Sequence, residues 1–425
     1  MSASGSTPDR VRLRMARPRH RLLPVLTAGL LLVTAACNGS NGFPTEPVRD
    51  FTSDELQVSS ANTDFGFTLL RGVAQSASES NVMLSPLSVS MALGMTANGA
   101  RGATWDAMRT ALGFGSMDEN AMNEAYAGLL RQLLARDPAV EFTIANSVWH
   151  EATFVVEQPF LDAARDHFDA EVRALDFRAA SAPSTISRWA EDKTGGRIKD
   201  LIQSIDPLEV LFLVNAVYFK APWSEPFEER ATRDGPFHTL NGTTVNVPMM
   251  SGDAGRPFFR DADADVIELV YADSVFGMVV VAPAEGRSLD QILTNLTPTR
   301  WNEWMNGLAR TRILLTMPRF RFDYGTKLND ALSMMGMAIA FDANNADFDR
   351  INPTRNDLYI SRVEHKTFID VHERGTEAAA ATAVGMAVTS VPPSITIDRP
   401  FLFVIRERTS GTILFLGRVG DPAAG

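Results

Sequence analysis

Cysteine is nearly absent from this sequence, because Cys37 is the only one among 425 residues. A single thiol excludes an intramolecular disulfide framework and any zinc or iron–sulfur site built from several thiolates. Basic residues are also few: 40 Lys and Arg stand against 51 Asp and Glu, and the pI is near 5.1. Such an acidic balance argues against a nucleic-acid-binding protein. A hydrophobic fraction of 45% is typical of a globular chain rather than a disordered one.

Short motifs of catalysis are missing as well. His150-Glu151 has no second histidine four residues on, so the zinc-protease pattern H-E-x-x-H does not occur there. No G-x-S-x-G nucleophile elbow is present, and the six histidines are scattered along the chain. We therefore expect neither an enzyme nor a protein that needs a metal or another cofactor.

The apolar run near the start of the chain is too short to span a membrane. LLPVLTAGLLLVTAA, at residues 22–36, has 15 residues, whereas a spanning helix needs about 20. Six arginines and one acid precede it, and the small residues of TAAC end it at Cys37. A basic segment, an apolar core and a small-residue cleavage point are typical of a secretory signal. TAAC also resembles the lipobox of bacterial lipoproteins, in which the cysteine becomes the lipidated first residue.

This pattern favours lipidation of Cys37. The alternative is an ordinary signal peptide with a chance cysteine, but the only cysteine of the chain lies where lipidation requires it. Acyl chains would anchor the protein firmly to a membrane. Asn38, in place of the usual retention residue Asp, favours export to the outer membrane, the cell surface or the periplasm. The predicted organisation is a lipoprotein signal at residues 1–37, a flexible tether at 38–54 and one large domain at 55–425. Met15 is an alternative start to Met1.

Apolar periodicity after residue 55 predicts helices mixed with long strands. Residues 86–97 predict a buried helix that Ser85 and Pro86 begin, and residues 186–198 predict an amphipathic helix that ends at Gly195-Gly196. Early helices with strands out of sequence order indicate an α+β domain. Strands are predicted at residues 211–219, 276–283, 313–324, 358–373 and 401–419. The first two of these should be buried on both faces, and the last should form a hairpin.

One segment fits no regular structure. Residues 375–391, GTEAAAATAVGMAVTSV, lie between two strong strand regions and carry no charge after Glu377. Gly375 and Gly385 bracket no good helix, and the segment lacks the large side chains of a strand and is unusually apolar for a loop. Pro392-Pro393 ends it. Such a sequence is compatible with several conformations and committed to none.

Five long segments, in the same order along the chain, resemble successive signatures of the serpins. The resemblance covers about residues 55–421, and no single short motif carries it. The segments are NVMLSPLSVSMALGMTANGARGAT (81–104), LVNAVYFKAPWSEPF (213–227), MPRFRFDY (317–324), HKTFIDVHERGTEAAAATAV (365–384) and PFLFVIRERTSGTILFLGRV (400–419).

The resemblance implies a metastable serpin fold of three β-sheets and eight or nine helices, with an exposed reactive-centre loop. It also implies a suicide substrate rather than an enzyme. A target serine protease forms an acyl-enzyme ester with the loop, and the freed loop then inserts as a new central strand of the main sheet. The protease is dragged across the molecule and its catalytic triad is distorted, which traps the ester.

The resemblance also implies where the protease cuts. In inhibitory serpins the acylated residue usually lies 16 positions after the conserved hinge glutamate, here Glu373, so the reactive bond joins Thr389 and Ser390. Thr389 suits the shallow apolar pocket of an elastase-like protease, and chymotrypsin-like or subtilisin-like enzymes are further candidates. Residues 375–398 contain no Arg or Lys, which argues against a trypsin-like target.

The hinge that must insert is small and free of proline. Alternation along a strand places uncharged side chains on one face, and Gly375 supplies a backbone pivot. Non-inhibitory serpins tend to carry charged, bulky or proline residues here, and this sequence does not. The predicted hinge residues are Glu373, Gly375, Thr376, Glu377, Ala378, Ala379, Ala380, Ala381 and Thr382.

Two further sites follow from the resemblance. Ser85, Ser88, Asn215 and His365 match the shutter, a polar cluster beneath the point where the sheet opens; the alternative is a satisfied core network without a gating role. Trp223 matches the breach, where the loop first inserts, although a plain core aromatic is equally compatible. We expect a monomer whose partners are a serine protease and, through the lipid anchor, a membrane. The alternative function is a non-inhibitory surface lipoprotein of serpin fold that binds a partner.

Overall fold

Nine α-helices occur in the part of the chain that the structure, a computed structural model, describes: residues 47–355, 357–377 and 392–424. Two short 3-10 helices and one π-helix, Glu229–Ala231, Ala338–Phe341 and Ser333–Met337, accompany them. The α-helices are α1 Ser53–Ser76, α2 Pro86–Ala97, α3 Gly102–Ala111, α4 Glu119–Ala135, α5 Gln158–Phe168, α6 Ala182–Lys193, α7 Leu289–Asn295, α8 Pro298–Gly307 and α9 Asn329–Leu332.

Fifteen strands are described, and most of them lie in the second half of the chain. They are β1 Val82–Leu84, β2 Glu141–Glu151, β3 Ala170–Leu175, β4 Leu211–Pro222, β5 Arg233–His238, β6 Thr244–Arg260, β7 Ala264–Val270, β8 Phe276–Pro283, β9 Ala309–Pro318, β10 Phe320–Lys327, β11 Glu364–His372, β12 Gly375–Thr376, β13 Ser394–Thr396, β14 Phe401–Glu407 and β15 Ile413–Val419.

These strands form two sheets. One has nine strands in the order β1-β15-β14-β8-β7-β6-β9-β13, with β5 also paired to β6, and the other has six in the order β10-β11-β12-β4-β2-β3. The resemblance implied three sheets, whereas the described strands form two. The difference arises at β6, whose 17 residues pair with β5 and β9 and then, at the far end, with β7, so that two of the expected sheets are continuous. The predicted α+β architecture is confirmed.

The best-marked elements form where the sequence predicts them. Helix α2 spans the predicted residues 86–97 because the Ser85 hydroxyl accepts a hydrogen bond from the Ser88 amide, at 3.3 Å, and Pro86 occupies the first turn. Every residue of β8 is buried, and β14 and β15 form the predicted hairpin. In these segments the local sequence signals and the tertiary packing favour the same secondary structure.

Other boundaries were wrong. The run 313–324 is not one strand, because it breaks at Pro318 and feeds two different sheets as β9 and β10. Strand structure begins only at Glu364 in the run 358–373, and α6 spans Ala182–Lys193 rather than 186–198. Strand β4 was predicted to be buried on both faces, but its residues largely alternate between buried and half-buried.

The six-stranded sheet is covered on both faces near β4. Helix α2 packs against one face of β4, and α6 packs against the other, where it also contacts β2. The α6 contact is a separate hydrophobic cluster in which Trp149 of β2 meets Trp189 of α6 with ring centroids 6.4 Å apart. A strand added beside β4 would therefore lie between two helical layers.

The described ranges contain neither a membrane-spanning helix nor a cluster of metal-binding side chains. None of the helices there is long and apolar enough to cross a membrane. No group of three or more His, Cys, Asp or Glu side chains is arranged to hold a metal ion in that part of the chain.

Candidate functional site

The first residues of the hinge form a strand in the six-stranded sheet. In β12, Thr376 pairs with Ala221 of β4 on one side and with Val371 of β11 on the other, antiparallel to both. Gly375 has a φ of 151°, in the range that favours glycine. This backbone conformation is compatible with the pivot that the sequence predicts at Gly375.

Thr376 is held by aromatic residues at the point where the hinge joins the sheet. Its buried hydroxyl lies 2.6 Å from the phenol oxygen of Tyr271. The Tyr271 ring stacks on Trp223, with centroids 4.4 Å apart and planes 17° apart. The indole nitrogen of Trp223 donates to the carbonyl of His372 at 2.9 Å. Trp223 thus supports both ends of the turn from β11 into β12, where the resemblance places the breach.

Glu377 is also tied to its surroundings. Its carboxylate accepts a hydrogen bond from Tyr218 and pairs with Arg197, each at 3.0 Å, and its side chain is only 4% exposed. Burial and the neighbouring carboxylate raise the pKa of Tyr218. The φ of Glu377 is 52°, a left-handed value that costs a non-glycine residue on the order of 1 kcal/mol. This residue must leave that conformation before β12 can grow.

Glu373 anchors the start of the hinge. The Arg319 Nε donates to both of its carboxylate oxygens at 2.7 Å, and the Thr232 hydroxyl donates to one of them. Burial alone would raise the pKa of Glu373, but the hydrogen bonds from Arg319 and Thr232 outweigh it and hold the pKa below its usual value. The Glu373 side chain is 2% exposed and that of Arg319 is 42% exposed. The charge that the pair neutralises is therefore the buried carboxylate.

A gap follows β12. Beyond Thr376, the described residues of β4 and β11 share no backbone pairing, and a cavity of about 610 Å³ lies between them. We call this space the slot. Helix α2 closes one side of the slot, and the segment after α6 closes the other. Side chains that line it include Ser88, Ala92, Ile198, Leu213, Asn215 and His365.

Ser88, Asn215 and His365 of the predicted shutter line the slot, whereas Ser85 does not, and the four residues do not form one continuous network. The Ser85 amide donates to Nε2 of His365 at 3.1 Å, and the Ser85 hydroxyl donates to the Leu414 carbonyl at 2.7 Å. Burial lowers the pKa of His365 to about 4. A neutral ring is required, because Nε2 must accept the proton of the Ser85 amide.

Asn215 stands on the opposite wall of the slot. Its amide nitrogen donates to the side-chain oxygen of Asn146 at 2.6 Å, and Asn146 in turn donates to the Phe168 carbonyl. The Asn215 Oδ1 is buried without a hydrogen-bond partner among the described residues. The slot separates Asn215 from His365, which explains why the four residues do not bond as a single cluster.

Several predicted residues lie outside the described residues. They are the hinge residues Ala378, Ala379, Ala380, Ala381 and Thr382, the reactive-bond residues Thr389 and Ser390, and Cys37.

Other residues of the site were missed from the sequence. Arg319, Tyr271, Tyr218 and Arg197 contact the hinge from four separate parts of the chain. Asn146 was missed as well, although it had a visible signal: an amide side chain within the mostly apolar run of residues 144–149 needs a hydrogen-bond partner if it is buried.

Comparisons with known proteins agree with this geometry. A family model described as "Serpin (serine protease inhibitor)" matches residues 60–422. The chain is 34% identical to an uncharacterized serpin-like protein of Thermococcus kodakarensis, with 91% of this chain and 92% of the relative aligned. It is also 34% identical to Serpin A3-3 of Bos taurus, over 95% and 99% of the two chains.

Solved structures give the same result. The native state of the thermophilic serpin tengpin is 29% identical, covers 88% of this chain and 96% of its own, and superposes with a TM-score of 0.79. Human thyroxine-binding globulin complexed with thyroxine is 30% identical, covers 87% and 100%, and has a TM-score of 0.80.

Proposed function

Because this chain belongs to the serpin family, we propose that it inhibits serine proteases irreversibly, as a suicide substrate. The observation that carries the proposal is that β12 lies between β4 and β11 and the slot lies farther along the same two strands. Two hinge residues already lie as a strand between β4 and β11, and the cavity lies on the same path where residues 211–215 of β4 face residues 364–366 of β11. The site therefore has room for a longer strand in the place where an inserted loop would lie.

The proposed reaction begins at Thr389. The serine hydroxyl of the protease attacks the Thr389 carbonyl, the bond to Ser390 breaks, and the new amine of Ser390 leaves with a proton while Thr389 stays bound as an ester. On the leaving side, Ser394–Thr396 is β13, which pairs with β9 of the nine-stranded sheet. That side stays attached to one sheet while the acylated end is free to enter the other.

The register of β12 indicates how the loop would insert. Each further residue moves one position back along β4 and β11 from the pairs that Thr376 makes, so Thr382 would lie between Asn215 and His365. A hydroxyl there would supply the donor that the Asn215 Oδ1 lacks. About ten new ladder hydrogen bonds, together with apolar burial, would release on the order of 10 kcal/mol. The free energy that insertion would release therefore exceeds the unfolding free energy of many domains.

Elastase-, chymotrypsin- or subtilisin-like proteases are the proposed targets. Thr389 offers a small β-branched side chain to the primary pocket, which fits a shallow apolar pocket better than a deep charged one. The protein is proposed to act as a monomer, because one protease consumes one loop.

The proposed location is a membrane surface reached by export. Support comes from the basic and apolar residues before TAAC and from the position of the chain's single cysteine. Cys37→Ser should move the protein from the membrane fraction to the soluble fraction. Unchanged membrane binding in that variant would reject the lipid anchor without affecting the inhibitor.

The second candidate is a serpin-fold lipoprotein that binds a partner without trapping proteases. It is favoured by the likeness to thyroxine-binding globulin, a protein whose name and structure concern ligand binding. Family membership therefore does not by itself decide between the two functions. The hinge sequence favours inhibition, because it is free of proline and carries no charge after Glu377.

Denaturing electrophoresis separates the two candidates. The soluble domain, residues 38–425, is incubated with elastase, chymotrypsin and subtilisin over a range of ratios. We expect an adduct that survives SDS with at least one protease and a released peptide that begins at Ser390. Matched reactions with protease whose catalytic serine is blocked should give no adduct. Cleavage without an adduct for every protease would support the partner-binding protein instead.

A further inference from the structure

The end of the slot away from β12 is closed by a polar cluster. Glu209 lies on the turn before β4 and Arg362 lies two residues before β11, so they stand on opposite sides of the slot. The Arg362 Nη2 donates to Oε2 of Glu209 at 3.1 Å, and its Nε lies 2.9 Å from Oε1 without hydrogen-bond alignment. The Ser361 hydroxyl donates to the same Oε1 at 2.9 Å. We call Glu209, Ser361 and Arg362 the basal clamp.

Further contacts hold the basal clamp in place. The Arg362 Nη2 also donates to the Ser204 carbonyl at 2.5 Å, and the guanidinium lies 5.2 Å from the centroid of the Phe212 ring. Glu209 accepts a hydrogen bond from the Asp206 amide at 2.8 Å. The side chains of Arg362 and Glu209 are 17% and 7% exposed. Water and salt therefore screen this pair less than an ordinary surface pair.

The basal clamp lies on the path of the last residues to insert. By the register of β12, an inserted Thr382 stops short of it, whereas Gly385 would lie opposite Arg362 and Val388 opposite Glu209. A strand cannot occupy that space while the carboxylate and the guanidinium touch across it. The cluster must open for the final residues and can stay closed for the earlier ones.

We propose that the basal clamp is a checkpoint for the last stage of loop insertion, an inference that rests on the proposed function. While it is closed, the intact loop is kept from inserting fully. After cleavage, the opening of the clamp limits the rate at which residues 385–388 enter the slot. This rate matters because insertion must finish before the protease hydrolyses its ester. The basal clamp thus sets how often the chain traps a protease and how often it is merely cut.

Peptide insertion tests this role without a protease. A synthetic peptide of residues 376–388 reaches the basal clamp by the register above, and one of residues 376–382 does not. Each peptide is incubated with the soluble domain, and insertion is followed by native electrophoresis and by the rise in melting temperature with time. Glu209→Gln and Arg362→Gln break the pair from either side. Asp253→Asn is the matched control, because Asp253 pairs with Arg312 at 2.7 Å within the nine-stranded sheet.

We expect both clamp variants to take up the long peptide at least fivefold faster than the wild type and the control variant, with no acceleration of the short peptide. Equal rates for the long peptide in Glu209→Gln, Arg362→Gln and Asp253→Asn would overturn the checkpoint. Equal acceleration of both peptides would also overturn it, because the pair would then stabilise the sheet in general. If neither peptide inserts into the wild type, the slot accepts no strand, and the proposed function fails together with the checkpoint.

Discussion

The phenol oxygen of Tyr271 lies 2.6 Å from the hydroxyl oxygen of Thr376, and both side chains are buried. This contact joins Thr376, the last residue of β12, to the aromatic pair that Tyr271 forms with Trp223. Neither hydroxyl can turn to water from this position, so each depends on the other. The hydrogen bond therefore helps to hold β12 in the sheet before any cleavage.

Tyr271→Phe should loosen the hinge while it keeps the ring stacked on Trp223. The Thr376 hydroxyl would lose its partner in a buried place, at a cost of about 1–3 kcal/mol. We expect amide hydrogen exchange at Glu377, whose N–H donates to the Asp370 carbonyl at 3.1 Å, to become about tenfold faster. Exchange at Glu377 that stays at the wild-type rate would show that the contact is not what retains β12. Tyr359→Phe, at an exposed tyrosine outside the strands, should change nothing.

The two partners of the Glu373–Arg319 pair should not be equivalent in mutation. Arg319→Ala leaves a 2% exposed carboxylate without its main partner, whereas Glu373→Gln leaves a guanidinium that is already 42% exposed. We expect the first change to cost about 3 kcal/mol and the second about 1 kcal/mol. Urea denaturation at pH 7 measures both. Equal losses would mean that the buried carboxylate is not what the pair stabilises.

Stability should fall in acid through His365. Its pKa is about 4 in the folded protein and about 6.5 when unfolded, so the unfolded chain binds the extra proton between these values. Stability is therefore complete above about pH 6.5 and declines as the pH falls towards 4, by up to about 3 kcal/mol from this group. The pKa of His372 is lowered too and acts in the same direction.

His365→Gln separates the two histidines. Glutamine offers an oxygen that can accept the Ser85 amide without titrating, so the pH dependence of the unfolding free energy should become flatter. Urea titrations at pH 7.0 and pH 4.5 give the comparison. A slope identical to that of the wild type would place the acid sensitivity elsewhere, with His372 as the first candidate.

Thr382 should decide between inhibition and cleavage. Thr382→Arg would bring a charge between Asn215 and His365, where the register gives it no partner, so insertion would stall and the protein would become a substrate. Thr382→Ser keeps the hydroxyl and should retain inhibition, which makes it the matched control. The ratio of SDS-stable adduct to cleaved protein measures the effect. Full inhibition by Thr382→Arg would contradict the insertion path.

Local signals explain which elements could be predicted from the sequence. Ser85 and Pro86 define the start of α2 through a cap and a first turn, and the apolar run of β8 is buried whatever its neighbours are. The break at Pro318 was missed because the alternation of residues 313–324 continues through it. An alternating pattern indicates which side chains share a face of a strand. It does not indicate that the chain passes from one sheet to another.

The site divides in the same way. Gly375 and Thr376 could be predicted, because a pivot and small uncharged residues leave a mark in the sequence. Arg319, Tyr218 and Arg197 could not, because their contacts with the hinge join residues far apart in the chain. The slot could not be predicted either, because a space between two strands leaves no pattern in the sequence.

Melting of the loop-nicked protein tests the central claim most directly. The loop is cut by a protease that releases the protein, the position of the cut is verified by mass between residues 378 and 391, and intact and nicked chains are melted side by side. Insertion worth on the order of 10 kcal/mol should raise the melting temperature of the nicked chain by about 15 °C or more. A nicked chain that melts at the same temperature as the intact one would contradict loop insertion, and with it the inhibitor.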